Sequence, residues 1–167
     1  SEIANTYVNI VLPEAFAYHA KTLESHPERY SDGVRERLEM GRDIPTDAYV
    51  QAQRLRATFR AEVDAALIQC DALVLPTLPI PAPKIGAETV EIDGVQHTLR
   101  PLMLRLTQLF NLTGHPAISL PCGETADGLP CGLQLVGRRQ EAVALLALAL
   151  GGEAHVRRPA RGLFWHR

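Results

Sequence analysis

The sequence predicts an α/β protein in which helices pack on a mixed β-sheet. Apolar residues recur in steps of three and four from Thr46 to Cys70, which is the pattern of a helix with one buried face. A continuous apolar run, Ala72–Leu75, is typical of a strand covered on both faces. Two further short apolar runs, Ala117–Leu120 and Gly132–Val136, are bounded by proline and glycine and predict two more strands.

Length and composition narrow the possible classes of protein. The chain has 167 residues, 46% of them hydrophobic, which suffices for one domain of ordinary size. Its 17 basic and 19 acidic residues give a net charge of -2, so charge does not favour binding to nucleic acid or to an anionic membrane. The sequence contains no apolar run of about 18 residues, so it does not predict a membrane span. Three cysteines, an odd number, indicate reduced thiols and favour a cytoplasmic protein.

The remaining helices follow from periodicity and from their stop signals. A first helix is expected over Thr6–Leu23, beginning or kinking near Pro13 because proline lacks a backbone donor. A shorter helix, from Ser31 or Asp32 to Met40, is closed by Gly41. The opening residues contain neither an initiator methionine nor a signal peptide, so they are expected to belong to the interior of a longer protein.

A proline-rich loop follows the first predicted strand. Pro76, Pro79, Pro81 and Pro83 exclude both a helix and an inner strand. The loop therefore lies at the carboxyl end of a strand, where open α/β sheets bind their ligands. A stiff linker in the polyproline II conformation is the alternative that composition leaves open.

The second half of the chain contains a hairpin and two more helices. Asp93-Gly94 suits a type I′ turn, and it predicts a surface hairpin over residues 88–99. Helical spacing returns over Pro101–Phe110 and again over Gln140–Glu153. Residues 155–167 are basic and are expected to form a surface tail.

A search for catalytic chemistry finds no complete site. The four serines are Ser1, Ser25, Ser31 and Ser119, and no Gly-x-Ser-x-Gly elbow surrounds any of them. His115 and Cys122 flank a strand that would hold them roughly 20 Å apart, so they cannot form a dyad.

Other polar candidates are interpreted as structural. Cys122 and Cys131 can face each other across the turn between two strands. No further histidine or carboxylate stands at the spacing that a metal site requires, so neither a metal nor a cofactor is expected. The charges of the long helix, Asp64 among them, are interpreted as a solvated surface. Asn111 and Thr113 stand where a helix ends and a strand begins, where such residues cap the backbone or line a crevice.

Several motifs, taken in order, resemble a known enzyme family. The segments concerned are Leu73–Thr77 with Pro79, Pro81–Pro83 and Ile85–Gly86, then Phe110–Gly123 (FNLTGHPAISLPCG), Asp127–Pro130 and Gly132–Gly137. Over residues 3–155 the chain resembles the carboxyl-terminal part of the amidase signature hydrolases. Residues 1–167 would then be the carboxyl-terminal part of a single amidase domain, with a partial α/β/α fold.

The resemblance also implies an activity. Members of that family hydrolyse carboxamides with a serine nucleophile, a second serine on a cis peptide bond and a lysine. The motif that carries the two serines has no counterpart here, and the lysines of the chain are Lys21 and Lys84. The triad is therefore expected in a missing amino-terminal half, and this chain alone is expected to be inactive. The expected partners are that half, a small amide substrate and, because a half-sheet exposes apolar edges, a second copy.

Five residues are expected to line one wall of the substrate pocket. They are Thr77, Leu78, Pro79, Leu109 and Asn111. The wall is apolar and uncharged, which favours an uncharged acyl group. The A-type subunits of tRNA amidotransferases usually carry an acid before the counterpart of Thr107, whereas this chain reads Leu102–Arg105 there, which disfavours such a role. A free-standing domain that binds a ligand or a partner without catalysis is the remaining alternative.

Overall fold

The structure, a computed structural model, describes residues 1–156 and forms an α/β protein, as the sequence predicts. Its helices are α1 (Glu2–Ser25), α2 (Asp32–Glu39), α3 (Thr46–Ala66), α4 (Leu99–Leu104), α5 (Gln108–Thr113) and α6 (Ala142–Val156). Its strands are β1 (Leu73–Pro76), β2 (Thr89–Ile92), β3 (Val95–Thr98), β4 (Ala117–Glu124) and β5 (Pro130–Val136). The chain divides into two compact units, Ser1–Ala61 and the residues from Glu62 onward. Most of the expected tail, residues 157–167, lies outside the described residues.

The first unit is helical, and its first helix is longer than expected. α1 begins at Glu2 and passes through Pro13, so the expected start near that proline is wrong. Ile10 and Leu12 are buried, and this packing of the first half of the helix compensates for the backbone hydrogen bond that proline cannot make. α1 stops at Ser25, directly before His26-Pro27, because the residue before a proline disfavours the helical conformation.

Gly41 stands after α2, where the sequence predicts a helix stop, and it also makes a close approach to α1. A Cβ atom at this position would overlap the carbonyl oxygen of Leu12 and lie 3.0 Å from the Cβ of Phe16. The guanidinium of the next residue, Arg42, lies over the Phe16 ring, 5.1 Å from its centroid. Glycine is therefore required here because of space, so that the chain can pass directly over the backbone of α1.

We predict that Gly41→Ala destabilises the protein by about 3 kcal/mol, the upper part of the range for overpacking, because the clashing atom is backbone and cannot rotate away. Urea-induced unfolding followed by circular dichroism measures this cost. Gly33→Ala is the control, since a Cβ on Gly33 of α2 meets nothing within 4 Å. Equal unfolding midpoints for the two variants would contradict the prediction.

A three-stranded sheet organises the second unit, with the strand order β1-β5-β4. Both strand pairs are antiparallel, with Leu73 opposite Val136 in one and Ala117 opposite Val136 in the other. The pairs among the described strands are thus all antiparallel, and these residues do not form the mixed sheet expected from the sequence. β5 lies between β1 and β4 and runs in the direction opposite to both, so neither pair can be parallel.

Helices cover both faces of this sheet. On one face Val63 of α3 and Leu67, directly after that helix, pack with Phe110 of α5 and Val136 of β5. On the other face Leu145 and Ala149 of α6 pack against the strands, on Leu120 and Leu135. Val136 has no exposed surface, so the last residue of β5 lies at the centre of the first layer.

β1 is less covered than its apolar run suggests. Val74 is 60% exposed, so the expectation that this strand is buried on both faces is wrong. β1 is an edge strand of the described sheet, and α6 packs over the neighbouring strands instead. An apolar run identifies a strand, but it does not tell which element covers the strand.

The smaller elements follow the sequence with local differences. β2 and β3 form the hairpin predicted by Asp93-Gly94, both of which have positive φ. The helix expected over Pro101–Phe110 is two short helices, α4 and α5, and α5 ends at Gly114 in the left-handed conformation. α6 runs to Val156, past the expected end at Glu153. Within residues 1–156, no helix combines the length and the apolar character that crossing a membrane requires.

Candidate functional site

Two hydroxyl groups meet on the face of the sheet where β1 ends. Thr77 follows β1, and its Oγ1 lies 2.5 Å from the Oγ of Ser119 on β4, with β5 between the two strands. The backbone N–H of Thr77 also donates to the carbonyl of Gly132 at 2.8 Å, which extends the β1–β5 ladder by one residue. Thr77 is half-buried and Ser119 is exposed, so a ligand can approach this hydroxyl pair.

The hydroxyl pair depends on the absence of a side chain at Gly132. A Cβ there would lie 2.7 Å from the Ser119 oxygen and 2.8 Å from the Thr77 oxygen. Glycine on the middle strand therefore lets the side chains of the two outer strands meet across it. The strand predicted at Ala117–Leu120 contains Ser119, and strand alternation turns the exposed Ser119 side chain away from the α6 layer that holds Leu120.

The other expected pocket residues do not share one environment. Leu78 is 37% exposed and Pro79 is exposed, consistent with the loop predicted after β1. Leu109 packs against the core cluster around Phe110 and Val136, so much of its surface serves the core. Asn111 stands on the exposed side of α5. Their joint role in one pocket stays a prediction.

A second polar cluster joins three segments of this unit through His115. The Nε2 atom of His115 lies 3.2 Å from Oδ1 of Asp64, and its Nδ1 lies 2.8 Å from Oγ1 of Thr113. A carboxylate only accepts hydrogen bonds, so Nε2 carries the proton, and in the neutral ring Nδ1 accepts from the Thr113 hydroxyl. Asp64 in turn accepts two hydrogen bonds from Arg139, at 3.1 and 2.9 Å. Thr113, His115, Asp64 and Arg139 together form the histidine cluster.

The histidine cluster contains a hydroxyl, an imidazole and a carboxylate in the same order as a catalytic triad. The burial of the hydroxyl excludes a catalytic role for the cluster. Thr113 has no exposed surface and the His115 side chain is fully buried. A nucleophile has to reach the substrate carbonyl, and this hydroxyl cannot. The histidine cluster therefore holds the start of β4 to α3 and to the segment before α6.

The charge of Asp64 is set by its partners. Hydrogen bonds from Arg139 hold the pKa of the Asp64 carboxyl below its ordinary value near 3.8, against a smaller opposing effect of desolvation, and His115 lowers it further. The same pairing raises the pKa of Arg139. The Asp64 side chain is 40% exposed, as expected of a surface charge, but its carboxylate is bound by His115 and Arg139, which the sequence did not predict. The available signal was His115, since a buried histidine needs a polar partner.

The three cysteines are free thiols. Burial, and then the neighbouring Cys131, raise the pKa of the Cys122 thiol, so this group is protonated at neutral pH and is a poor nucleophile. His115 precedes β4 and is occupied by Asp64 and Thr113, whereas Cys122 lies toward the other end of that strand. The strand thus holds His115 and Cys122 apart, as their spacing in the sequence predicts.

A surface cleft of about 620 Å³ lies beside the base of the hairpin. Pro83 of the proline-rich loop, Leu99 and Met103 of α4, and the charged residues Glu88 and Arg100 line part of it. None of the five expected pocket residues lines this cleft. It is therefore separate from the hydroxyl pair.

This antiparallel sheet between helix layers is a fold shared with a solved amidase. The amidase family model matches residues 2–146, and the chain is a member of that family. The identification from the motifs of the sequence is thereby confirmed.

Comparison with individual relatives places the chain within longer proteins. It is 42% identical over 121 residues to an amidase of Pseudomonas putida, an alignment that covers 72% of this chain and 26% of that protein. It is 36% identical over 137 residues to the A-type subunit of the glutamyl-tRNA(Gln) amidotransferase of Synechococcus sp. (strain CC9902), covering 77% of this chain and 26% of that protein. A crystal structure of an amidase superposes with a TM-score of 0.84 and 38% identity, covering 92% of this chain and 35% of that one. The chain thus spans about a quarter of the length of these curated relatives.

We predict that Gly132→Ala separates the hydroxyl pair and destabilises the protein by about 1–3 kcal/mol through overpacking. Chemical denaturation of the single variants and of the Gly132→Ala/Ser119→Ala double variant measures the effect. Because removal of the Ser119 hydroxyl relieves one of the two close contacts, the double variant should cost less than the sum of the singles. Strict additivity would contradict the proposed clash.

We also predict an acid-dependent contribution from Asp64. Its folded pKa is lowered, so the stabilisation is fully present above the unfolded pKa and is lost as the pH falls through the folded value. Asp64→Asn should therefore be less stable than the wild type at pH 7, and the difference should shrink below about pH 4. Unfolding midpoints measured from pH 7 to pH 2 test this, with Glu62→Gln, an exposed acid on the same helix, as the control. A difference that stays constant across this range would refute the prediction.

Proposed function

We propose that this chain supplies the carboxyl-terminal part of an amidase that hydrolyses a small carboxamide. The catalytic serine, the second serine on a cis peptide bond and the lysine would be contributed by residues outside this chain. The family match over residues 2–146, combined with coverage of only 26% of the Pseudomonas putida amidase, is the observation that carries the proposal.

The chemistry of the described residues supports a noncatalytic contribution. Serine becomes a nucleophile when an adjacent base takes its proton. The hydroxyl of Ser119 instead pairs with the hydroxyl of Thr77, which is no base at neutral pH. Lys21 on α1 and Lys84 in the proline-rich loop are exposed, and neither belongs to the hydroxyl pair.

The proposed substrate role concerns one wall of a pocket. Thr77 offers a hydroxyl already oriented by Ser119, and the exposed Leu78 and Pro79 offer apolar surface beside it. Asn111, exposed on α5, adds an amide that can donate and accept hydrogen bonds. A small, uncharged amide with one polar group suits such a wall better than a dicarboxylate does, because no cation stands among these residues.

Uncovered apolar surface supports a partner for this chain. Val143, Leu146 and Leu150 on α6 are 81%, 51% and 72% exposed, on the side of the helix away from the sheet. β1 and β4 are the edges of the described sheet. Apolar helix faces and open strand edges promote association when they stay exposed. The amino-terminal half of the same amidase is the proposed partner, and a second copy of this chain is the other.

Membership of a tRNA amidotransferase is the second candidate function. The similarity to the A-type subunit of the Synechococcus enzyme, at 36% identity over 77% of this chain, favours it. The stretch Leu102–Arg105 carries no acid where such subunits usually have one, which is why a small-molecule amidase is proposed first.

We predict that the purified 167-residue chain releases no ammonia from small aliphatic or aromatic carboxamides above the rate in buffer. Loss of both nucleophile and base leaves only a residual acceleration even where other parts of a site survive. The Ser119→Ala variant is the control and should match the wild type. Turnover that the wild type shows and Ser119→Ala lacks would place the nucleophile in this chain and refute the proposal.

The gene provides an independent check. An upstream reading frame that continues into Ser1 and encodes the two serines and the lysine would support the proposed amidase. A start codon directly before Ser1, together with a monomeric and well-behaved chain, would contradict it and favour a free-standing binding domain.

A further inference from the structure

Cys122 and Cys131 occupy adjacent positions on neighbouring strands. In the β4–β5 ladder Leu120 pairs with Leu133 and Pro121 pairs with Gly132, so the next pair in this register is Cys122 with Cys131. The register shifts at this point, and the Cα partner of Cys131 is Gly123 instead of Cys122. Cys122 is thus the extra residue of a β-bulge, and two residues of β4 face one residue of β5.

Strand alternation places both thiols on one face of the sheet. Cys122 follows Ile118 and Leu120 in steps of two, and these two side chains pack with the α6 layer. Cys131 precedes Leu135 by two such steps, and Leu135 belongs to the same layer. The two sulfur atoms therefore project toward the same side.

The bulge places Cys122 directly beside Gly123, the residue that opposes Cys131, so the two cysteines are close enough to be candidates for a disulfide bond. Directly opposed residues of antiparallel strands have Cα atoms about 4.5 or 5.5 Å apart. Disulfides form most often at Cα separations of about 4.4–6.8 Å. The bulge adds a local adjustment, since Gly123 has a φ of 125° that other residues rarely adopt.

Both thiols are accessible and are held loosely. Each of the two side chains is half-buried, and the Sγ of Cys131 makes only a long contact, 3.9 Å, to the carbonyl of Leu129. The third cysteine, Cys70, lies beyond the end of α3, where its Sγ donates to the carbonyl of Ala66. It therefore does not stand in the β4–β5 ladder.

We propose that Cys122 and Cys131 form a cross-strand dithiol that hydrogen peroxide oxidises to an intramolecular disulfide. One thiolate attacks a peroxide oxygen, the O–O bond breaks to give a sulfenic acid, and the departing hydroxide takes up the proton that the thiol had released and becomes water. The second thiol sulfur then attacks the sulfenic sulfur, the S–S bond forms, and a second water leaves with the remaining thiol proton. The two thiols lose two electrons and two protons in total, and peroxide is reduced to two waters.

The bond would tie the end of β4 to the start of β5 across the turn at residues 125–129. Closing this loop restricts the unfolded chain, so the oxidised protein should melt at a higher temperature than the reduced protein. Because Cys122 is protonated at neutral pH, oxidation should accelerate as the pH rises through the alkaline range.

The sequence gives this proposal a direct test. No lysine or arginine separates Arg105 from Arg138, so a single tryptic peptide, residues 106–138, contains both cysteines. The purified chain is treated with hydrogen peroxide at low protein concentration, then alkylated and digested without reductant. The expected peptide carries no alkyl group and is lighter by two hydrogen atoms than the reduced peptide, and dithiothreitol restores both alkylation sites.

Three comparisons make the test decisive. Cys70→Ser should leave the product unchanged, whereas Cys122→Ser and Cys131→Ser should each abolish it. The same treatment in denaturant should yield a mixture of pairings that includes Cys70. The proposal is overturned if the folded chain gives that same mixture, if peptide 106–138 stays fully alkylated, or if it gains oxygen atoms on both sulfurs without forming the bond.

Discussion

β5 is the strand on which the second unit of this protein depends, because it is paired on both sides and packed on both faces. β1 and β4 bond to its two edges, while Val136 and Leu135 carry the two helix layers on opposite faces. Each of these contacts restricts the residues that β5 can contain. The strand is accordingly apolar where helices cover it and is reduced to glycine at Gly132, where side chains of its neighbours have to meet.

Polar groups collect where this sheet ends, and each set has a different environment. The hydroxyl pair of Thr77 and Ser119 is open to a ligand, whereas the histidine cluster is closed off at Thr113 and His115. Both sets contain a threonine near the end of a secondary structure element, and they differ in exposure. The exposed hydroxyl pair is therefore a candidate binding surface, whereas the buried histidine cluster is a structural network. The same criterion explains why a series of hydroxyl, imidazole and carboxylate can serve stability without catalysis.

Membership of the amidase family agrees with this division of roles. The chain matches about a quarter of the length of its curated relatives, and the described residues provide a sheet, its helix layers and a polar group on the sheet face. The role proposed for this part is a substrate wall, since activation of a nucleophile needs a base that the hydroxyl pair lacks. The apolar outer face of α6 and the two open strand edges fit a chain that is completed by a partner.

Sequence by itself determined most of the elements and the family. Helical spacing located α3, proline and glycine bounded β4 and β5, and Asp93-Gly94 fixed the hairpin, since these signals act over a few residues. Only the tertiary structure decided that every described strand pair is antiparallel, that Ser119 meets Thr77 and that Asp64 binds His115. Asp64 and His115 are separated by 51 positions, and Thr77 and Ser119 by 42. Periodicity reports the face on which a residue lies, but the partner that meets it there is set by packing between distant segments.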